Sequence, residues 1–421
     1  MSGSPLTLFF LQVACILIAC RVVGWMAARV GQPRVMAEML TGFLLGPSFF
    51  GAVAPSLSES LFPAGSLPTL SLVSQIGLVL YMFSVGLEFR PDLVRQSSRR
   101  AAVLSLSGII GPMLVGVALA QVLRAYGGLY TERLGAVPAA LFTGITLSIT
   151  AFPMLARIIG ERGIAGTSIG SLALSAGAIN DALAWMLLAV VLGTLSGEVA
   201  PAVIAIGGGV AFAALVLWGV PRLIRLLPST ARDGITEGEL AIVLGMLMLS
   251  AYFTERIGMH AVFGAFIFGV SFRRSAFAID LRKLVEPVAS TLFVPLFFAS
   301  AGLHTQLGLL TGLSLWGVTV LIFIAACVGK GVCCSLGAYW TGASPREALA
   351  LATLMNTRGM VELILIDIGR AQGLITPTLY TMLVLMAIGT TLMTGPLFGM
   401  IWQGASSLHV DADAVPAQGT R

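Results

Sequence analysis

Ser175-Ala-Gly-Ala-Ile-Asn180-Asp181-Ala-Leu-Ala-Trp185 lies near the middle of an otherwise apolar stretch running from about Ile169 to Leu195. A carboxylate at the centre of a bilayer-spanning helix costs roughly 2.5 to 3.5 kcal/mol even on insertion scales. It persists there only where a charge is usefully bound or released. Asp181 therefore reads as an ion or proton site, and the helix around it as one span of a membrane protein.

Composition extends that reading to the whole chain. Apolar residues make up 57% and charged residues only 10%, with a mean hydropathy of +0.96, against the ~25% charged residues of soluble domains. The 49 glycines fit a polytopic membrane protein, where small residues let helices approach closely and break. No soluble domain of useful size is expected.

Hydropathy over spans of about 20 residues divides the chain into about thirteen helices. Their centres fall near Ile18, Leu44, Val79, Gly111, Ser148, Asp181, Val210, Met246, Phe266, Leu296, Cys327, Val361 and Met386. An odd count puts the two ends on opposite sides. Loops after odd-numbered helices hold sixteen Lys and Arg, from Arg29 to Arg346, whereas loops after even-numbered helices hold Arg124, Arg133, Arg256 and Arg370. By the positive-inside rule the N-terminus is outside and the C-terminus cytoplasmic, in a cell membrane. The net charge of +5 is then a topology signal and not a nucleic-acid surface. The first apolar run is too long for a cleavable signal and is expected to remain as the first span. Cys15, Cys20, Cys327, Cys333 and Cys334 lie inside predicted helices without metal-ligand spacing, as apolar packing residues.

A faint internal repeat follows. Phe83-Ser-Val-Gly86-Leu87-Glu88 ends the third helix and Phe298-Ala-Ser-Ala-Gly302-Leu303-His304 the tenth; Gly42-Phe-Leu-Leu-Gly46 ends the second and Phe266-Ile-Phe-Gly269 the ninth. Both pairs are seven helices apart, so the copies run in opposite directions through the membrane, as in the inverted repeats of many secondary transporters. Helices one to six form one repeat, eight to thirteen the other, and seven the linker. Two predicted breaks support this. In helix five Ser148-Ile-Thr150-Ala-Phe-Pro153 places a proline mid-span, and in helix twelve Met355-Asn356-Thr357-Arg358-Gly359 places polar and charged groups at similar depth. The bland alternative is a proline kink and an arginine near a helix end.

Asp181, Lys330, Arg358, Glu362 and Asp367 form the set of candidate buried charges. Glu362 follows Arg358 by four residues, on one helical face, which suits an internal ion pair. Lys330 has no helical partner and must be neutral, face water or meet Asp181 across the bundle. His260, His304 and His409 have no metal-ligand companions at useful spacing, so neither a resident metal nor a cofactor is expected. An enzyme is not expected either: HExxH, GxSxG and Walker motifs are missing from the sequence. Arg157, Glu161 and Arg162 read as a charged helix end at the cytoplasmic boundary.

Gly31-Gln32-Pro33-Arg34-Val35 with Glu38 and Gly46-Pro47-Ser48, then Phe83 to Glu88, Thr150-Ala-Phe-Pro153, Asn180-Asp181 and Asn356-Thr357-Arg358-Gly359 together resemble the monovalent cation:proton antiporters of the second branch. The motifs occur in family order over nearly the whole chain. The resemblance implies an all-α fold of thirteen helices, two inverted six-helix repeats and two broken, crossing helices. It implies a membrane domain over residues 1–402, with a dimerisation part at about 5–90 and 236–310, a core at about 99–195 and 312–402, a linker at about 201–227 and a cytoplasmic tail at 403–421.

By the same resemblance Asp181 carries Na⁺ or K⁺, or a proton, with Thr150 and Asn180 supporting the cation. Lys330, Arg358, Glu362 and Thr357 balance charge at the broken helices. The core of each subunit in a homodimer would move against a fixed scaffold. Electrogenic relatives carry a second aspartate where this chain has Asn180, so electroneutral exchange is expected. Regulation of the kind seen in potassium-efflux relatives would need a separate subunit. A membrane subunit of such a system, a cation channel and a non-transporting sensor remain alternatives; a channel would need a continuous polar pathway, which the sequence lacks.

Overall fold

The computed structural model describes residues 4–29, 32, 34–89, 98–132, 134–164, 167–195, 199–224, 235–272 and 275–402. Every predicted centre falls within a helix. Among the described residues nine helical stretches are long and apolar enough to cross a membrane, and Ala136–Ser148 and Ala261–Ser271 are shorter apolar helices. The tail beyond 402, the end of the linker and the motif residues Gly31 and Pro33 lie outside the described residues.

Both expected breaks are present. Helix five consists of Ala136–Ser148 and Phe152–Glu161, and helix twelve of Pro345–Met355 and Met360–Ala371. Pro153 sits in the first turn of the second half-helix, where a missing N–H costs nothing. The interruption itself is the extended run Ile149 to Ala151 just upstream. Pro345–Met355 starts on a reciprocal cap: the Ser344 hydroxyl accepts from the Glu347 amide, and the Glu347 carboxylate accepts from the Ser344 amide.

Three details depart from the sequence reading. The second helix stops at Leu45, and Phe50–Val53 and Pro55–Leu61 follow as separate short helices, because Pro47 cannot donate to a continuing helix. The tenth is interrupted by a π-helical segment at Ala289–Phe293, between Ala276–Val288 and Val294–Leu303. Asp367 is not a buried charge: its side chain is 37% exposed and pairs with Arg370 one turn on, at 3.1 Å.

Close backbone approaches tie the elements together. Gly86 of Leu67–Glu88 and Gly269 of Ala261–Ser271 face each other so closely that a Cβ on either would meet the other's backbone. Arg34–Leu45 and Val294–Leu303 cross as closely: a Cβ on Gly302 would meet the Gly42 backbone, and one on Gly42 the Phe298 backbone. Small residues are what permit such crossings in a bilayer. Loops that the sequence assigns to one side also meet. The segment after the fourth helix pairs with that after the twelfth, through Thr131 N to Leu374 O (3.3 Å) and Thr376 N to Leu129 O (3.0 Å). Gln32, Arg162 and Arg346, each after an odd-numbered helix, donate to carbonyls of Leu392, Gly395 and Ile401 near the end of Pro377–Ile401.

Candidate functional site

A chain that leaves the helix inside a membrane must satisfy its backbone without water. In the first break the Ile149 amide still reaches Ile145 O (3.2 Å), the Thr150 amide donates to Asn180 Oδ1 (3.0 Å), and the Ala151 amide donates to Thr357 O in the other break (3.0 Å). In the second, the Asn356 and Thr357 amides turn back to Ala352 and Leu354 carbonyls, and the Arg358 amide donates to Thr391 Oγ1 (2.9 Å). Each of these donors is paired, and one bond joins the two breaks directly.

The helix ends created by the breaks carry partial charge: negative where carbonyls are left over, positive where amides are. At the carbonyl end of Ala136–Ser148 the structure brings two basic side chains. Arg358 Nη1 donates to Thr146 O and Nη2 to Leu147 O, both at 2.8 Å, while Lys330 Nζ donates to Ser148 O and, at 2.9 Å, to Gly108 O. Both side chains are fully buried. Arg358 Nη1 also pairs with Glu362 Oε1 at 2.7 Å, with neither side chain exposed. At the end of Pro345–Met355 hydroxyls do this work instead, from Thr150 Oγ1 to Met355 O (2.8 Å) and from Thr357 Oγ1 to Leu354 O (2.6 Å).

Asp181 lies at the opposite, amide end of the first break. It is 3% exposed, and its carboxylate sits by the Phe152 backbone amide that opens the second half-helix. Among the described residues its Oδ1 and the neighbouring Asn180 Nδ2 are buried without hydrogen-bond partners. An orphaned carboxylate oxygen in an apolar interior is expensive. It is also a ready ligand for a proton or a small cation, and the residue before it, Asn180, is bonded to the Thr150 amide.

The structure thus brings Asp181, Asn180, Thr150, Thr357, Arg358, Glu362 and Lys330 to one pair of breaks. For Lys330, two of the three fates read from sequence are removed: it does not face water, and among the described residues no ion pair joins it to Asp181. Its Nζ donates to carbonyls. Arg157 is more than a boundary charge, because it lies 3.8 Å from Glu38 on Arg34–Leu45. Sequence reasoning also missed Thr391 and the carbonyls of Thr146, Leu147 and Gly108. A threonine in an apolar helix and a backbone carbonyl carry no signal of their own.

The chain matches the family model described as sodium/hydrogen exchanger, transmembrane, over residues 13–404. It is 37% identical over 409 residues to Cation/H(+) antiporter 17 of Arabidopsis thaliana, covering 96% of this chain and 49% of that protein. To Na(+)/H(+) antiporter NhaS4 of Synechocystis sp. it is 36% identical over 410 residues, covering 96% of this chain and 99% of that one. The chain thus spans about half the length of the plant relative. Among solved structures, the sodium proton antiporter MjNhaP1 of Methanocaldococcus jannaschii at pH 8 has the same fold, with a TM-score of 0.71 at 16% identity over 94% of this chain and 100% of that one.

Proposed function

Because this chain belongs to the sodium/hydrogen exchanger family of monovalent cation:proton antiporters, we propose that it exchanges Na⁺ or K⁺ for H⁺ across the membrane, with both ions competing for Asp181. The observation that carries this reading is the buried Asp181 carboxylate, with one oxygen unpartnered, at the amide end of a broken helix. Asn180 and Thr150 complete the candidate cation site. Lys330, Arg358, Glu362 and Thr357 hold the helix ends around it.

Exchange follows from charge. The empty site leaves a carboxylate with one oxygen unpartnered and no ion pair among the described residues, the costliest of its states to carry through a low-dielectric barrier. The proton-loaded and cation-loaded sites carry the same net charge as each other, so each crosses more readily than the empty one. Swapping one for the other moves no net charge through the site. Asn180, where a second carboxylate would change that count, favours an electroneutral cycle.

The glycine crossings support the inverted repeat. If a two-fold relates the second helix to the ninth and the third to the tenth, contact between the third and ninth requires contact between the tenth and second. Gly86 with Gly269 and Gly42 with Gly302 are that pair of contacts. On this reading the parts at about 5–90 and 236–310 form the scaffold of a homodimer. The broken helices belong to a core that moves against it and exposes Asp181 to each side in turn. The chain lies in a cell membrane with its N-terminus outside.

Purified protein in liposomes tests the proposal. Cation-driven pH change is expected in the wild type and its loss in Asp181→Asn; retained exchange in that variant defeats the mechanism. Insensitivity to an imposed membrane potential is the electroneutral outcome, and a rate that follows the potential overturns it.

A further inference from the structure

The second break is held by a residue that neither motif nor charge marks. We propose that Thr391 is a positioning residue for the exchange site, the counterpart in the second repeat of Asn180 in the first; this rests on the antiport reading above. Thr391 lies in Pro377–Ile401, is almost fully buried, and its hydroxyl brackets the backbone N–H and C=O of one residue, Arg358. Oγ1 accepts from the Arg358 amide and lies within donating distance of the Arg358 carbonyl, each at 2.9 Å. It is also 2.9 Å from Ala387 O in its own helix, which shares the single proton. Among the described residues neighbouring Thr390 and Thr394 bond back to their own helix, whereas Thr391 faces the break.

The correspondence with Asn180 is geometric. In each half a helix breaks, and a polar side chain on the next helix takes the amide that the break leaves over. Asn180 Oδ1 takes that of Thr150 and Thr391 Oγ1 that of Arg358. Thr150 and Arg358 each lie two residues before the second half-helix, which begins at Phe152 or Met360. Through Arg358 the consequence reaches the first break, because the same residue's guanidinium serves Thr146 and Leu147 carbonyls. Fixing the Arg358 peptide fixes where that charge sits relative to Asp181.

Two variants separate this role from packing. Thr391→Val keeps shape and branching but loses the hydroxyl; Thr391→Ser keeps the hydroxyl and loses the methyl. Positioning predicts that maximal exchange in liposomes falls by about fivefold or more in the valine variant and stays within about twofold in the serine variant. A packing role predicts the reverse order, and that result overturns the proposal. Hydrogen exchange read by mass spectrometry supplies a measure independent of transport. The peptide containing the Arg358 amide should exchange roughly tenfold faster in Thr391→Val and near the wild-type rate in Thr391→Ser. Unchanged protection in Thr391→Val sinks the proposal. The expected protection pattern in a wild type that exchanges no cation leaves the tie standing and removes the antiport reading instead. Should the valine variant not fold, Thr391→Ser against Thr391→Ala, which differ only by the hydroxyl, gives the same comparison.

Discussion

Arg358 Nη2 donates to the Leu147 carbonyl at 2.8 Å, so a side chain from the second broken helix closes the end of the first. Together with the bond from Ala151 N to Thr357 O, it makes the two breaks one unit. A substitution in one half is therefore felt in the other.

Removing one member of a fully buried ion pair leaves the other charge uncompensated, at about 3 to 5 kcal/mol. Arg358→Met is expected to lower thermal stability in detergent by an amount in that range. Replacing Glu362 by Met as well should recover less than half of the loss, because Arg358 also serves two carbonyls that methionine cannot. Full recovery in the double variant would show that the carbonyl contacts contribute little.

Lys330 offers a contrast, since it donates to Ser148 and Gly108 carbonyls and not to Asp181. Lys330→Met should destabilise the fold by about 1 to 3 kcal/mol through unsatisfied carbonyls. A stability cycle of Lys330→Met with Asp181→Asn should give a coupling smaller than that of Arg358 with Glu362, because the two buried charges act on each other without an ion pair. A coupling as large as that of Arg358 with Glu362 would mean that the two charges pair directly in the population measured.

The helix crossings predict which glycines matter. A Cβ at Gly302 meets the Gly42 backbone, so Gly302→Ala must push two helices apart, costing about 1 to 3 kcal/mol. Gly245, inside Glu237–Arg256, has open space at its Cβ position. There Gly245→Ala should stabilise by about 0.5 to 1 kcal/mol through helix propensity alone. Thermal melts of the two variants should move in opposite directions.

Competition at Asp181 fixes the sign of the pH dependence. Protons occupy the carboxylate as pH falls, so the apparent KM for the cation should rise, about tenfold per pH unit once the site is mostly protonated. Maximal rate at saturating cation should stay level over the same range. Initial rates in liposomes over a grid of cation concentration and pH test this, and a falling maximal rate at constant KM contradicts a shared site.

Membrane residence, the approximate helix centres and both breaks were legible in the amino-acid chain because each rests on local chemistry. Runs of apolar residues need lipid, a proline cannot donate, and a carboxylate in such a run needs a purpose. The pairing of Arg358 with Glu362 was equally local, since four residues on a helix is one neighbouring position. Asp367, at the same kind of spacing from apolar neighbours, was misjudged because sequence does not say which face of a short helix meets water. Only the tertiary structure decided the rest. That Lys330 ends on Ser148, that Arg358 reaches Leu147 and that Thr391 holds the Arg358 peptide all depend on backbone groups brought together across more than thirty residues or across the repeat. Proline aside, backbone amides and carbonyls are the same in every residue, so the sequence determines that a broken helix must find partners, and the packing of the other helices determines which partners it finds.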